Sequence, residues 1–168
     1  MKKLVKFILI GMALAPMSLN AQQDAQSFVE RYRKYDGFTL VTIEKPAMKM
    51  ISFLVQAGKE ENVEQFINCL DAVQALRFER GQDKIRSESF TNEALAFCNA
   101  NRYKVFAEAT ERDESVKIFC KTEGKTVTDM VILCSEPSHV EMICIKGKIA
   151  LDDLLVFTGS FGKNIASK

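Results

Sequence analysis

The chain has 168 residues, of which 47% are hydrophobic, and it carries 23 basic and 22 acidic side chains. This length predicts one domain that is large enough to bury a hydrophobic core. The near-neutral charge argues against nucleic acid as a partner, because neutralising phosphates requires a basic face.

The first 21 residues predict export. Three of the first six are lysines, an apolar run follows over residues 7–17, and Ala21 offers a small residue for cleavage. The run is too short to span a bilayer, so residues 1–21 match a signal peptide. We expect a single domain over 22–168 without a transmembrane span. The first cysteine is Cys69, which excludes the usual bacterial lipid anchor and predicts a periplasmic or secreted protein.

Helices dominate the first half of the predicted fold. Apolar residues at helical spacing predict a helix over 24–35, and a β-branched run predicts a strand over 38–44. Pro46 suits the first turn of the next helix, and Gly58 suits its C-terminal cap. The predicted buried stripe of this helix consists of Ala47, Met50, Ile51, Leu54 and Val55.

A short helix with apolar positions from Val63 to Leu70 and a strand over 73–80 follow. Ser87 is a candidate N-cap for a helix running to about Asn99. The inward-facing residues of that helix are predicted to be Phe90, Ala94, Phe97 and Cys98.

Four strands and a short helix complete the predicted fold. The strands are predicted at about 103–111, 116–122, 127–134 and 140–146, and the helix at 151–157. Their short polar connections require antiparallel neighbours. We therefore expect an α+β domain with a mostly antiparallel sheet, a C-terminal four-strand meander, and helices packed mainly on one face.

Short motifs do not predict chemistry. Gly124-Lys125-Thr126 joins two predicted strands, whereas a phosphate-binding loop must open a helix. Ser160 lies in a segment similar to the nucleophile elbow of hydrolases. The catalytic histidine of that motif lies downstream of the serine, whereas the single histidine of this chain, His139, lies upstream. His139 is interpreted as a turn residue without a partner. We assign no catalytic, cofactor-binding or metal-ligating residue.

Five cysteines in an exported chain cannot all pair internally. They are Cys69, Cys98, Cys120, Cys134 and Cys144. Buried free thiols are favoured over disulfides, because a free cysteine packs as a small hydrophobe. If Cys134 pairs with Val140 in a hairpin, Cys144 lies about 13 Å from Cys134, beyond the reach of a disulfide. Extended spacing likewise separates His139 from Cys144 by about 16 Å, too far for a shared zinc ion.

Alternation along the late strands predicts two apolar faces. One face, expected to be the core under the helices, consists of Val116, Ile118, Cys120, Met130, Ile132, Cys134, Val140, Met142 and Cys144. The opposite face includes Phe119, Val131, Leu133, Ile143 and Ile145. A face exposed only to water would not carry five such residues. Either the helix over 24–35 covers it, or another chain does, through self-association or an envelope partner.

These features together resemble one family, the exported bacterial domain-of-unknown-function family numbered 4252. The resemblance lies in Tyr35-Asp36-Gly37-Phe38-Thr39, the methionine-bearing helix from Pro46 to Gly58, the strand Met130-Val131-Ile132-Leu133, and the closing Ile145-Lys146-Gly147-Lys148-Ile149 before Leu151-Asp152-Asp153-Leu154. The resemblance implies no enzymatic residues. It implies that the gene lies near genes for extracytoplasmic-function sigma factors, and hence that the protein takes part in envelope regulation. The five cysteines leave a redox role open.

Two hypotheses on function follow. The first is a non-catalytic envelope protein that binds a protein or envelope component without a cofactor. The second is a hydrolase acting on an envelope glycan or peptide through scattered carboxylates. A polar cleft with two carboxyl groups of opposed pKa would favour the hydrolase, and a shallow apolar surface would favour the binding protein.

Overall fold

The computed structural model describes residues 24–57, 61–79 and 84–154. The helices are α1 (Ala25–Tyr32), α2 (Lys45–Ala57), α3 (Glu61–Asn68) and α4 (Lys84–Ala100). The strands are β1 (Phe38–Glu44), β2 (Leu70–Glu79), β3 (Lys104–Glu111), β4 (Glu114–Glu123), β5 (Thr126–Ser135) and β6 (His139–Ala150). Residues 151–154 are helical. The predicted signal peptide, Gly58 and Ser160 lie outside the described residues.

The six strands within these described ranges form one antiparallel sheet with the order β1-β2-β6-β5-β4-β3. The predicted α+β class, antiparallel sheet and four-strand meander are therefore confirmed. The β4–β5 hairpin turns at Gly124, whose φ of 61° lies in the left-handed region that favours glycine. No helix in the described part of the chain is long and apolar enough to cross a membrane.

The two faces of the sheet are covered by different helices. On one, the α1/α4 face, Phe28, Phe90 and Phe97 pack over the sheet residues Leu76 and Met142. On the other, the α2/α3 face, Met48 joins a core with Met130, Ile145 and Ile149, against which Phe66 and Ile67 of α3 pack.

Helices thus lie on both faces, whereas the sequence predicts them mainly on one. The physical reason lies in the central strands, which carry large apolar side chains on both faces and so require cover on both. On β5, for example, Val131 and Leu133 lie in the α1/α4 core and Met130 in the α2/α3 core.

The predicted facing of β6 is wrong. Cys134 pairs with Glu141 and Ser135 with Val140, one residue away from the predicted pairing of Cys134 with Val140. A slip of one residue moves every side chain of a strand to the opposite face. Val140, Met142 and Cys144 consequently lie on the α1/α4 face, and Glu141, Ile143 and Ile145 lie on the α2/α3 face.

Three smaller predictions also differ from the structure. In α2, Met48, which lies outside the predicted stripe, is buried, whereas Met50, which belongs to it, is 70% exposed. Ser87 is buried one turn inside α4, which begins at Lys84, and it is not the N-cap. His139 is the buried first residue of β6, and its Nδ1 lies 3.0 Å from Ser138 Oγ. Each of these three features depends on how a neighbouring element packs, and local periodicity does not specify that packing.

Candidate interaction surface

The five residues of the predicted interaction face do not share a face. Phe119, Val131 and Leu133 are 2%, 0% and 5% exposed and belong to the core beneath α1 and α4. Ile143 and Ile145 lie on the α2/α3 face. Of the two alternatives for covering the first three residues, the structure places helices of the same chain over them.

A continuous apolar row instead crosses the α2/α3 face of the whole sheet. The strand register places one residue from each strand directly opposite the next, in the order Val41, Ala75, Ile143, Ile132, Ile118 and Ala107. We call these six residues the apolar row. The row crosses six strands, and the five inter-strand spacings of about 4.8 Å make it about 24 Å long.

The apolar row marks the boundary of helix cover on this face. On one side, the neighbouring row contains the buried residues Ile145, Met130 and Cys120. On the other side, the neighbouring row begins with the polar side chains Thr39, Arg77 and Glu141. Within the row, Val41 is 52% exposed and the other five residues are half-buried.

Such a row can contribute binding energy by further burial. Each of its three isoleucines is half-buried, so covering one would stabilise a complex by about 1 kcal/mol, roughly half the value of full burial. Arg77 and Glu141 beside the row supply the polar rim that is typical of protein interfaces. This arrangement suits the apolar face of another protein segment.

A separate polar cleft of about 680 Å³ lies beside the ends of β3 to β6. Each of β3, β4 and β5 has a register shift next to it, after Val105, Lys121 and Val127 respectively. Bulges of this kind redirect side chains and are common beside functional sites. The charged residues lining the cleft are Asp24, Arg102, Lys104, Lys121, Glu123, Asp129 and Lys146.

The best-defined carboxylate of the cleft has a structural role. Asp24 Oδ1 accepts a hydrogen bond from the backbone N–H of Ser27 at 2.8 Å, and Oδ2 lies 2.9 Å from Lys146 Nζ. The Ser27 and Lys146 hydrogen bonds lower the pKa of Asp24 to about 2. Asp24 therefore remains ionised and cannot act as a general acid at neutral pH.

An aromatic residue also lies near this cleft. The ring of Tyr103 lies under the ammonium group of Lys121, 4.3 Å from Nζ, in a cation–π contact. Burial, the largest cause, raises the pKa of the Tyr103 hydroxyl, as does Asp129. The hydroxyl is buried without a hydrogen-bond partner among the described residues.

The five cysteines are free thiols, and the described part of the chain holds no cluster of potential ligands for a metal ion. Burial raises the pKa of Cys98 to about 12 and that of Cys120 to about 11. A thiol with so high a pKa is almost entirely protonated at neutral pH and is a poor nucleophile or metal ligand.

Of the apolar row, only Ile143 was among the predicted interaction residues. It was grouped there mostly with residues that lie on the opposite face of the sheet. Ile118 and Ile132 were predicted to lie in the core under the helices, because alternation alone does not show where that cover ends. The β5–β6 register was the missing information, since it aligns Ile143 with Ile132.

The chain matches the model of a known protein family. The family model "Domain of unknown function (DUF4252)" matches residues 32–156. No curated protein and no solved structure matches the chain. The matched segment contains all the strands that the structure describes, and therefore the complete apolar row.

Proposed function

Since this chain belongs to the family of the domain of unknown function DUF4252, we propose that it is an exported, non-catalytic protein of the bacterial envelope that binds a partner protein through the apolar row. The observation that supports the binding role is the in-register row from Val41 to Ala107, whose residues are exposed or half-buried at the boundary of the helix cover on this face.

An amphipathic helix of an envelope protein is the partner that fits this surface. Helices α2 and α3 already pack against the same face, so a further helix would continue that layer. Its apolar side chains would contact Ile118, Ile132 and Ile143, and its polar side chains would meet the rim at Arg77 and Glu141. This is the common mode in which an amphipathic helix binds a hydrophobic groove.

Crosslinking in cells tests the binding role. A photoreactive residue in place of Ile132 should give an adduct with one envelope protein, whereas the same residue at the exposed hairpin position Arg112 should not. Ile143→Lys should abolish the adduct formed at position 132, because it places a charge within the apolar row. Ile143→Thr, which adds no charge, should weaken it. Equal adducts at both positions would contradict the proposal.

Export is a part of the proposal that the N-terminal sequence supports. Intact-mass measurement on protein from the periplasm or medium should show that residues 1–21 have been removed. Protein that is retained in the cytoplasm with these residues attached would contradict it. The link to envelope-stress regulation, which the family resemblance suggests, predicts that deleting the gene changes the transcriptional response to envelope damage.

The hydrolase remains the competing function, and the polar cleft is where it would operate. Purified protein should release no product from envelope glycan or peptides. Turnover that is lost in Asp129→Asn, a cleft variant, but kept in Ile143→Lys would favour the hydrolase.

A further inference from the structure

The outer edge of β1 is open among the described strands. β1 ends the sheet, and its seven residues pair with β2 in unbroken register from Phe38 with Phe78 to Glu44 with Ala72. Only Glu44 is charged, and the strand contains no proline. Such an edge presents a regular row of backbone N–H and C=O groups that can pair with another strand.

The opposite edge of the same sheet is protected in the way natural edge strands usually are. β3 has a register shift between Val105 and Ala107, and it carries the charged residues Lys104, Glu108 and Glu111. Shifts and charges of this kind disfavour edge-to-edge pairing. The contrast between the edges indicates that β1 is the edge available for pairing.

We propose that two copies of the chain pair antiparallel through the outer edges of β1, related by a two-fold axis at Val41. In this register Val41 meets Val41 of the second copy, Thr39 meets Ile43, and Phe38 meets Glu44. No two like charges face each other, because the single charge of the strand lies at its end. The side chain at the centre, Val41, is 52% exposed in the single chain. The strand is therefore complementary to itself.

This dimer would also extend the apolar row. Val41 is the end of the row, so the pairing of the two valines would join two rows across one twelve-stranded sheet made from two six-stranded ones. The inference does not depend on the proposed function. Pairing at β1 uses backbone groups at the sheet edge, whereas partner binding uses the isoleucines at the centre of the row.

Charge substitution at Val41 tests the pairing. The mature chain should sediment as a dimer, and Val41→Lys and Val41→Glu should each raise the dimer dissociation constant at least about tenfold, because side chains of like charge then face each other from Cβ atoms about 5 Å apart. An equimolar mixture of the two variants should form a dimer again. Val105→Lys is the matched control, since Val105 is 56% exposed on the other edge strand and its substitution should leave the dimer intact.

Several results would overturn the proposal: a monomeric wild-type chain at high micromolar concentration, a dimer that Val41→Lys leaves unchanged, or no recovery on mixing the charged variants. Hydrogen exchange on the wild-type chain keeps the test independent of variant folding. Protection of the β1 amides should rise with protein concentration, and protection of the β3 amides should not. Failure of the Ile132 crosslink with an intact dimer would contradict only the proposed function.

Discussion

The carboxylate of Asp24 and the ammonium of Lys146, 122 positions apart in the sequence, lie 2.9 Å from each other. Asp24 is also the N-cap of α1, where it accepts a hydrogen bond from Ser27. One side chain therefore both begins the helix and attaches it to β6.

Removing this side chain should destabilise the fold. Asp24→Ala should lower the free energy of unfolding by about 1 kcal/mol, the usual cost of losing an N-cap. Asp24→Asn keeps the cap and loses only the partly exposed ion pair, so it should cost less. Urea denaturation measures both. Equal losses for the two variants would contradict the capping role.

The same residue should make stability depend on acid. The pKa of Asp24 is lowered from 3.8 to about 2, so its contribution is complete above pH 3.8 and is lost as the pH falls through about 2. The Asp24 side chain is 40% exposed, and solvent screening limits the contribution to about 1 kcal/mol. The difference in stability between wild type and Asp24→Asn should therefore shrink between pH 4 and pH 2. A constant difference would contradict this assignment.

Gly147 should not tolerate a side chain. A Cβ at this position would overlap the backbone carbonyl oxygen of Cys69, which accepts a hydrogen bond from Lys148 N at 2.8 Å. Gly147→Ala should lower the free energy of unfolding by about 2–3 kcal/mol, because the backbone at Cys69 would have to move. Gly124→Ala is the control: its site is open but has positive φ, and the cost should be about 1 kcal/mol. The reverse order, measured by thermal unfolding, would contradict the close approach.

Leu133 and Ile132 are adjacent in β5 and should respond differently to the same substitution. Leu133→Lys places a charge in the α1/α4 core and should cost about 4 kcal/mol or more. Ile132 lies in the half-buried apolar row, so Ile132→Lys should lower the free energy of unfolding by less than half as much as Leu133→Lys. Chemical denaturation measures both, with light scattering as a check. A folded Leu133→Lys protein that only dissociates would show that Leu133 is an interface residue.

The buried thiols should be protected only by the fold. All five cysteines should react with a thiol reagent in denaturant, since none is in a disulfide. In the native state Cys98, Cys120 and Cys144 should react slowly, because burial raises the pKa of each thiol. Fewer than five thiols in denaturant would indicate a disulfide, and stoichiometric zinc in the native protein would contradict the absence of a ligand cluster.

The elements of the fold could be predicted because their determinants are local. Helical spacing of Phe28, Val29, Tyr32 and Tyr35 predicted α1. The first three are buried in the structure, whereas Tyr35 lies beyond the end of the helix and is 52% exposed. The β-branched run gave β1 its observed bounds, and the short polar connections predicted the antiparallel meander. Propensity, periodicity and turn chemistry act over a few residues, so one sequence is enough to read them.

Which residues share a face of the sheet depends on long-range contacts and could not be read from local patterns. The β5–β6 loop fixes whether Cys134 faces Val140 or Glu141, and this difference of one residue moves Ile143 from one side of the sheet to the other. The helices then decide which rows are covered, leaving Leu133 buried and Ile132 half-buried one position away. The sequence alone determined that both faces are apolar. Register and helix cover determined which apolar side chains stay half-exposed, and both depend on contacts between residues that are distant along the chain.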